Sequence, residues 1–138
     1  MFLTESRYDH HGMVKCHYDW LPPTVPSMKW AGNRQSSFFV YLQVDCKGGT
    51  TVFPEIPRPP AIELCDALKC QNETGGEVTW MEIKPAVGRA VFWYNLDVRG
   101  RGDPKTLHAG MPVFNGTKVG MNIWTRERSW RRWVVPEN

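Results

Sequence analysis

The chain has 138 residues, a mass of 15.9 kDa and a net charge of +3. That is the size of one domain, and three surplus positive charges spread along it do not make a nucleic-acid stripe. Hydrophobic residues make up 41% and charged residues 22%, which excludes wholesale disorder, and no apolar run approaches the ~20 residues of a membrane-spanning helix.

Met1-Phe2-Leu3 runs straight into charged residues, so no leader segment is expected there. Residues 13–18 read as a strand, and 36–46 as the longest one. Lys47-Gly48-Gly49 interrupts that run and residues 50–53 resume it, the pattern of a hairpin. The prolines at 54, 57, 59 and 60 predict an irregular connection. Ile62, Leu64, Cys65 and Leu68 fall at helical spacing, which predicts one short helix over 61–71. Residues 78–84 alternate, and 89–95 form a compact apolar run suited to a buried strand. Residues 105–109 and 118–126 supply the last two strands, joined by a turn through 112–116. Many short strands with one helical insertion predict an all-β sandwich, barrel or jelly roll, built as a single domain over 1–138.

The cysteines at 16, 46, 65 and 70 contain no CxxC zinc pair. Cys65 and Cys70 are either buried thiols or a staple closing the helical insertion. Cys16 has the opposite strand parity to His17 and is expected in a sheet core. The sequons Asn72-Glu73-Thr74 and Asn115-Gly116-Thr117 point to the secretory pathway and the endoplasmic reticulum. The seven tryptophans are expected to pack in the core. His10 and His11 read as solvated loop residues, Arg101-Gly102-Asp103 as part of a loop, and the basic, aromatic stretch 126–133 as a solvated tail.

Chemistry enters with His17-Tyr18-Asp19. Residues two apart on a strand share a face, so the imidazole and the carboxylate project together while Tyr18 points away. His108 lies on another predicted strand. Two histidines and one carboxylate are the ligand set for non-haem Fe(II), with positions left open for co-substrate and oxygen. Ten residues beyond His108, across a Gly/Pro turn, stands Lys118. A fixed cation beside such a face suits a dicarboxylate whose 2-oxo acid end chelates the metal. Lys118 and Trp124 share strand parity.

This ordered set resembles the 2-oxoglutarate/Fe(II) dioxygenases, in particular the prolyl 4-hydroxylase-like branch. The resemblance rests on His17-x-Asp19, on Thr106-Leu107-His108-Ala109-Gly110-Met111-Pro112-Val113 and on Gly116-Thr117-Lys118. Gly48-Gly49-Thr50-Thr51-Val52-Phe53-Pro54, Val91-Phe92-Trp93-Tyr94-Asn95 and Asn122-Ile123-Trp124-Thr125-Arg126 fall in order with them. It implies a double-stranded β-helix, a distorted jelly roll. It implies Fe(II) on His17, Asp19 and His108, and 2-oxoglutarate on Lys118, Tyr8, Tyr41, Ser37 and Trp124. Arg34 falls on the substrate side. O2 and ascorbate complete the implied cofactors, and hydroxylation of a peptidyl proline is the implied reaction. The same chemistry on a small molecule or another residue, and a non-catalytic jelly-roll module, are the alternatives.

Two departures stand out. Gly49-Thr50-Thr51 lacks an acidic turn residue common in the family, and Val14 takes a place that is often aromatic. Family members usually carry helices and a strand upstream of the Tyr8 segment. This chain is expected to lack them, which would leave one face of the larger sheet open to association.

Overall fold

The computed structural model describes residues 2–9 and 11–128. Two antiparallel four-stranded sheets form a sandwich. The larger carries β1 (Phe2–Tyr8), β3 (Arg34–Gly48), β6 (Ala90–Tyr94) and β8 (Val113–Arg126) in the order β1-β8-β3-β6. The smaller carries β2 (Val14–His17), β4 (Thr51–Pro57), β5 (Trp80–Ile83) and β7 (His108–Gly110) in the order β2-β7-β4-β5. This is the expected all-β, jelly-roll class. A four-residue helix α1 (Met28–Ala31) and 3-10 turns at Ile62–Asp66 and Pro104–Thr106 complete the described elements.

Strand parity builds the interior. Along β3, Ser37, Phe39 and Tyr41 are buried while Phe38 faces outward. Phe53 from β4 meets Trp93 from β6 edge-on at 5.1 Å, and Phe39 meets Tyr41 at 4.9 Å. These rings, with Leu68 and Ile83, make the core between the sheets. Burying each large side chain contributes roughly 1.5–3 kcal/mol.

Several local expectations change in three dimensions. The 36–53 segment is no hairpin, because β3 and β4 belong to different sheets. Gly48 and Gly49, at φ +74° and +69°, turn the chain from one layer to the other, a conformation that costs glycine little. β4 runs on through Pro54 to Pro57 with a register break, the place where a ladder tolerates proline. The helix over 61–71 shrinks to a 3-10 turn. Cys65 and Cys70 form a disulfide across it, and Leu68 leaves to bridge Ile83 of β5. β6, the edge strand of its sheet, alternates, so only Trp93 is buried while Phe92 and Tyr94 face solvent beside Phe38.

Cys16 is exposed, not in a core, since β2 is itself an edge strand. Of the tryptophans among the described residues, Trp93 alone is buried; Trp30 and Trp80 are exposed. His10 and most of 126–133 lie outside the described residues. No helix among those described is long and apolar enough to cross a membrane.

Candidate metal centre

The smaller sheet brings the two histidines together. β2 pairs with β7 so that His17 stands directly opposite His108, with ring centroids 4.3 Å apart. β2 ends at His17, and the chain bends so that Asp19 turns inward while Tyr18 stacks on Trp20 at 4.6 Å. His17 Nε2 lies 3.5 Å from Asp19 Oδ1, and His108 Nε2 lies 3.8 Å from Asp19 Oδ2. One ligand atom from each of the three residues falls within 4.8 Å of the others.

The donor set fits a divalent metal. Each histidine places Nδ1 2.9 Å from a backbone carbonyl, of Lys15 for His17 and of Thr106 for His108. A carbonyl only accepts, so each Nδ1 carries a proton, and Nε2, on the Asp19 side, is the atom left bare in the neutral ring and protonated when the imidazolium faces the carboxylate. Burial pushes the His108 imidazole below its ordinary value, which favours the neutral, ligating form. The Asp19 hydrogen bond outweighs burial at His17 and pushes that imidazole up. Burial alone would raise the Asp19 carboxyl. Hydrogen bonds from His17, Ser37 and Trp124, with the charge of His108, hold it instead at about 2, so it is ionised at neutral pH.

A cavity of about 70 Å³ opens on this face and is lined by His17, Asp19, His108, Tyr8, Lys118 and Trp124, among others. Lys118 reaches it from β8 in the larger sheet, so β7 and β8 meet here across the sandwich and not as neighbouring strands. Its side chain is only 2% exposed. Nζ donates to Gly49 O at 2.8 Å and lies 4.7 Å from the Tyr8 ring centre. Burial pulls this ammonium down to about 8. A buried cation with one carbonyl partner in a cavity can receive a carboxylate.

The remaining expected residues divide. Tyr8 pairs with Lys118 across the β1–β8 ladder, just before the turn at Gly12 that separates β1 from β2. Trp124 lines the cavity and donates Nε1–H to Asp19 Oδ2 at 3.1 Å. The Tyr41 ring flanks Lys118, but its hydroxyl is bonded to Thr51 Oγ1 at 2.6 Å, and burial pushes it up to about 12. The Ser37 hydroxyl, expected on the co-substrate, is committed to Asp19 Oδ2 at 2.5 Å. Arg34 stacks over the Trp124 ring at 3.9 Å and points Nη1 at the Asp19 carbonyl, 3.4 Å away.

Three site neighbours escape sequence reasoning. Phe53 stacks on the His108 ring at 5.3 Å, and Trp93 meets it edge-on at 4.9 Å, so together they wall one side of the imidazole. Asn95, fully buried, donates to Ser37 Oγ. Its one signal in the sequence is a polar residue closing the apolar run 90–94.

A jelly roll whose interior offers two imidazoles, one carboxylate and a buried cation defines a mononuclear metal scaffold of the non-haem Fe(II) kind. The comparisons with known proteins make the family definite. The model of the 2OG-Fe(II) oxygenase superfamily matches residues 3–126, and the chain belongs to that family. It is 30% identical over 130 residues to probable prolyl 4-hydroxylase 4 of Arabidopsis thaliana, covering 94% of this chain and 43% of that protein. It is 33% identical over 129 residues to prolyl 4-hydroxylase subunit alpha-1 of Homo sapiens, covering 91% of this chain and 20% of that one. The crystal structure of viral collagen prolyl hydroxylase from Paramecium bursaria Chlorella virus-1, in its 2OG complex, superposes with a TM-score of 0.64. That match has 26% identity and covers 92% of this chain and 59% of the viral one. The chain thus spans less than half the length of these curated relatives.

Proposed function

We propose that this chain is the catalytic domain of an Fe(II)- and 2-oxoglutarate-dependent hydroxylase acting on prolyl residues of a peptide. The observation that carries the reading is the convergence of His17, Asp19 and His108 within 4.8 Å on a cavity that Lys118 also lines. The similarity to prolyl 4-hydroxylases supports the choice of substrate.

Bound Fe(II), with 2-oxoglutarate and O2, supplies the oxidising power that hydroxylates a substrate C–H bond while the co-substrate becomes succinate and CO2. His17, Asp19 and His108 hold the metal in this reading. Lys118 takes the far carboxylate of the co-substrate, and Tyr8 covers the ammonium. Phe53 and Trp93 keep water from the buried face of His108. No side-chain nucleophile or general base is required. The test is succinate formation with a proline-rich peptide against free amino acids. Peptide-dependent turnover is expected; turnover on free amino acids alone would overturn the substrate assignment.

Co-substrate affinity should depend on pH through Lys118. Its ammonium form binds the carboxylate, and burial has brought its loss of charge down to about pH 8. The anaerobic Kd for 2-oxoglutarate, measured with Co(II) in the site, should therefore be flat below pH 7. It should weaken above pH 8 by up to about tenfold per pH unit. An equal Kd at pH 7 and pH 9.5 would remove Lys118 from that role.

The secretory compartment is a further part of the reading. The Cys65–Cys70 disulfide supports it, as do the exposed positions of Asn72, beside a turn, and of Asn115, near the start of β8. The Asn72 side chain accepts hydrogen bonds from Thr74 N at 3.0 Å and from Thr74 Oγ1 at 2.9 Å. Protein from its natural source should carry the disulfide and lose mass on enzymatic deglycosylation. Reduced thiols and an unmodified mass would contradict this. Cys70→Ser should cost about 2 kcal/mol in chemical denaturation, the loop-closure value for so short a loop.

A further inference from the structure

Asp19 is held by more than its metal-side neighbours. Ser37 donates its hydroxyl proton to Oδ2 at 2.5 Å, and Trp124 Nε1–H reaches the same oxygen at 3.1 Å. Behind Ser37, Asn95 Nδ2 lies 2.8 Å from Ser37 Oγ. Ser37 and Asn95 are both fully buried. The direction of this chain is forced. An ionised carboxylate only accepts, so the single Ser37 proton goes to Asp19. Ser37 Oγ must then accept, and the amide end of Asn95 must face it. That orientation leaves Asn95 Oδ1 buried without a hydrogen-bond partner, a cost the fold carries at this position. The backbone keeps Asn95 in place from both sides. Its N–H donates to Gln35 O at 2.9 Å, and its carbonyl accepts from Asp103 N at 2.9 Å.

We propose that Asn95 and Ser37 form a two-step hydrogen-bond relay that fixes the Asp19 carboxylate, making both of them positioning residues for the metal. Two donors occupy Oδ2, so Oδ1, beside His17 Nε2, is the oxygen with lone pairs open. A polarised chain strengthens each of its bonds in a buried site, so the loss of the far donor is felt at the carboxylate. The relay also binds the two sheets to one site: Ser37 and Asn95 come from β3 and the end of β6, and the histidines come from β2 and β7.

This inference rests on the reading that His17, Asp19 and His108 hold Fe(II), and its test separates the two. The metal-free protein is titrated anaerobically with Co(II), whose visible bands report both affinity and coordination, with no co-substrate present. Ser37→Ala should weaken Co(II) by about 10- to 100-fold and shift the bands as the carboxylate turns. Asn95→Leu should weaken it by about tenfold. It keeps the branched shape and removes the unpartnered carbonyl, so the metal-free melting temperature should not fall. Asn95→Ala is run beside it, so that a loss common to both cannot come from altered packing by one side chain. The Ser37→Ala, Asn95→Leu double variant should match Ser37→Ala alone, because Asn95 acts through Ser37.

Losses that add in the double variant overturn the relay. So does a normal Co(II) affinity and spectrum in Asn95→Leu while the unsubstituted protein binds. If the unsubstituted protein gives no saturable Co(II) spectrum and Asp19→Ala is indistinguishable from it, the metal reading fails, and the relay falls with it.

Discussion

Asp19→Ala and His108→Ala are each expected to abolish succinate formation, with turnover falling by more than about 100-fold. Loss of a group that merely orients a metal ligand costs 10- to 100-fold, and loss of the ligand itself should exceed that. The two variants differ in what remains. Asp19→Ala leaves two neutral imidazoles with no negative charge to offset a divalent cation. It also strands the proton donors of Ser37 and Trp124. His108→Ala opens a hole against Phe53 and Trp93, whose rings lie 5.3 and 4.9 Å from the imidazole. Both should lose tight Co(II) binding, and His108→Ala should also lower the melting temperature, because a buried ring is removed. Unchanged turnover in either variant would sink the assignment of the metal ligands.

Lys118→Met is expected to loosen 2-oxoglutarate by about 100-fold or more, since an unpaired carboxylate would then be buried in the cavity. The same substitution should stabilise the metal-free chain. Lys118 loses its proton at about pH 8 when folded and near the ordinary lysine value of 10.5 when unfolded. Between those values the unfolded chain binds more protons, so stability rises as the pH climbs from 8 to 10.5, and the full cost of the buried charge is present below 8. That cost is about 3 kcal/mol. The bond from Nζ to Gly49 O offsets part of it. A net gain of about 1–2 kcal/mol at pH 7 is therefore expected for Lys118→Met. Denaturation of the metal-free forms at pH 7 and pH 10 checks this: the advantage of the variant should shrink at the higher pH. A destabilised variant at pH 7 would mean that the ammonium already has a strong partner in the free protein.

The larger sheet carries an exposed aromatic row. Phe38 and Phe92 lie 6.2 Å apart and Phe92 and Tyr94 5.1 Å apart, all with large exposed surfaces. Phe38 belongs to β3 and the other two to β6, and all three face away from the core.

The strand content was legible in the residues because a strand writes its burial at period two. Residues 36–46 carry the apolar run Phe38-Phe39-Val40-Tyr41-Leu42, and β3 runs through them with Ser37, Phe39 and Tyr41 inward. Which sheet a strand joins is not written in its period. The turn at Gly48-Gly49 looks like a hairpin until β8 is seen to pair with the end of β3 and β7 with the start of β4. The 61–71 segment had helical spacing, but a disulfide and one bridge to β5 outweigh the weak helix preference of so short a stretch. β1 has no strand pattern of its own, and its pairing with β8 comes from tertiary context.

The composition of the site belongs to the sequence: two histidines, a carboxylate two residues from one of them, and a lysine ten residues past the other are read from spacing and order. Their convergence belongs to the tertiary structure, since His17 and His108 meet only because β2 pairs with β7, and Lys118 arrives from the opposite sheet. So does the burial that makes Lys118 a weak base, and so does the hydrogen bond from Ser37 to Asp19. The physical reason is the same in each case. Spacing along the chain determines which face a side chain takes, but charge, solvation and hydrogen-bond partners depend on what the opposite layer brings within a few ångströms.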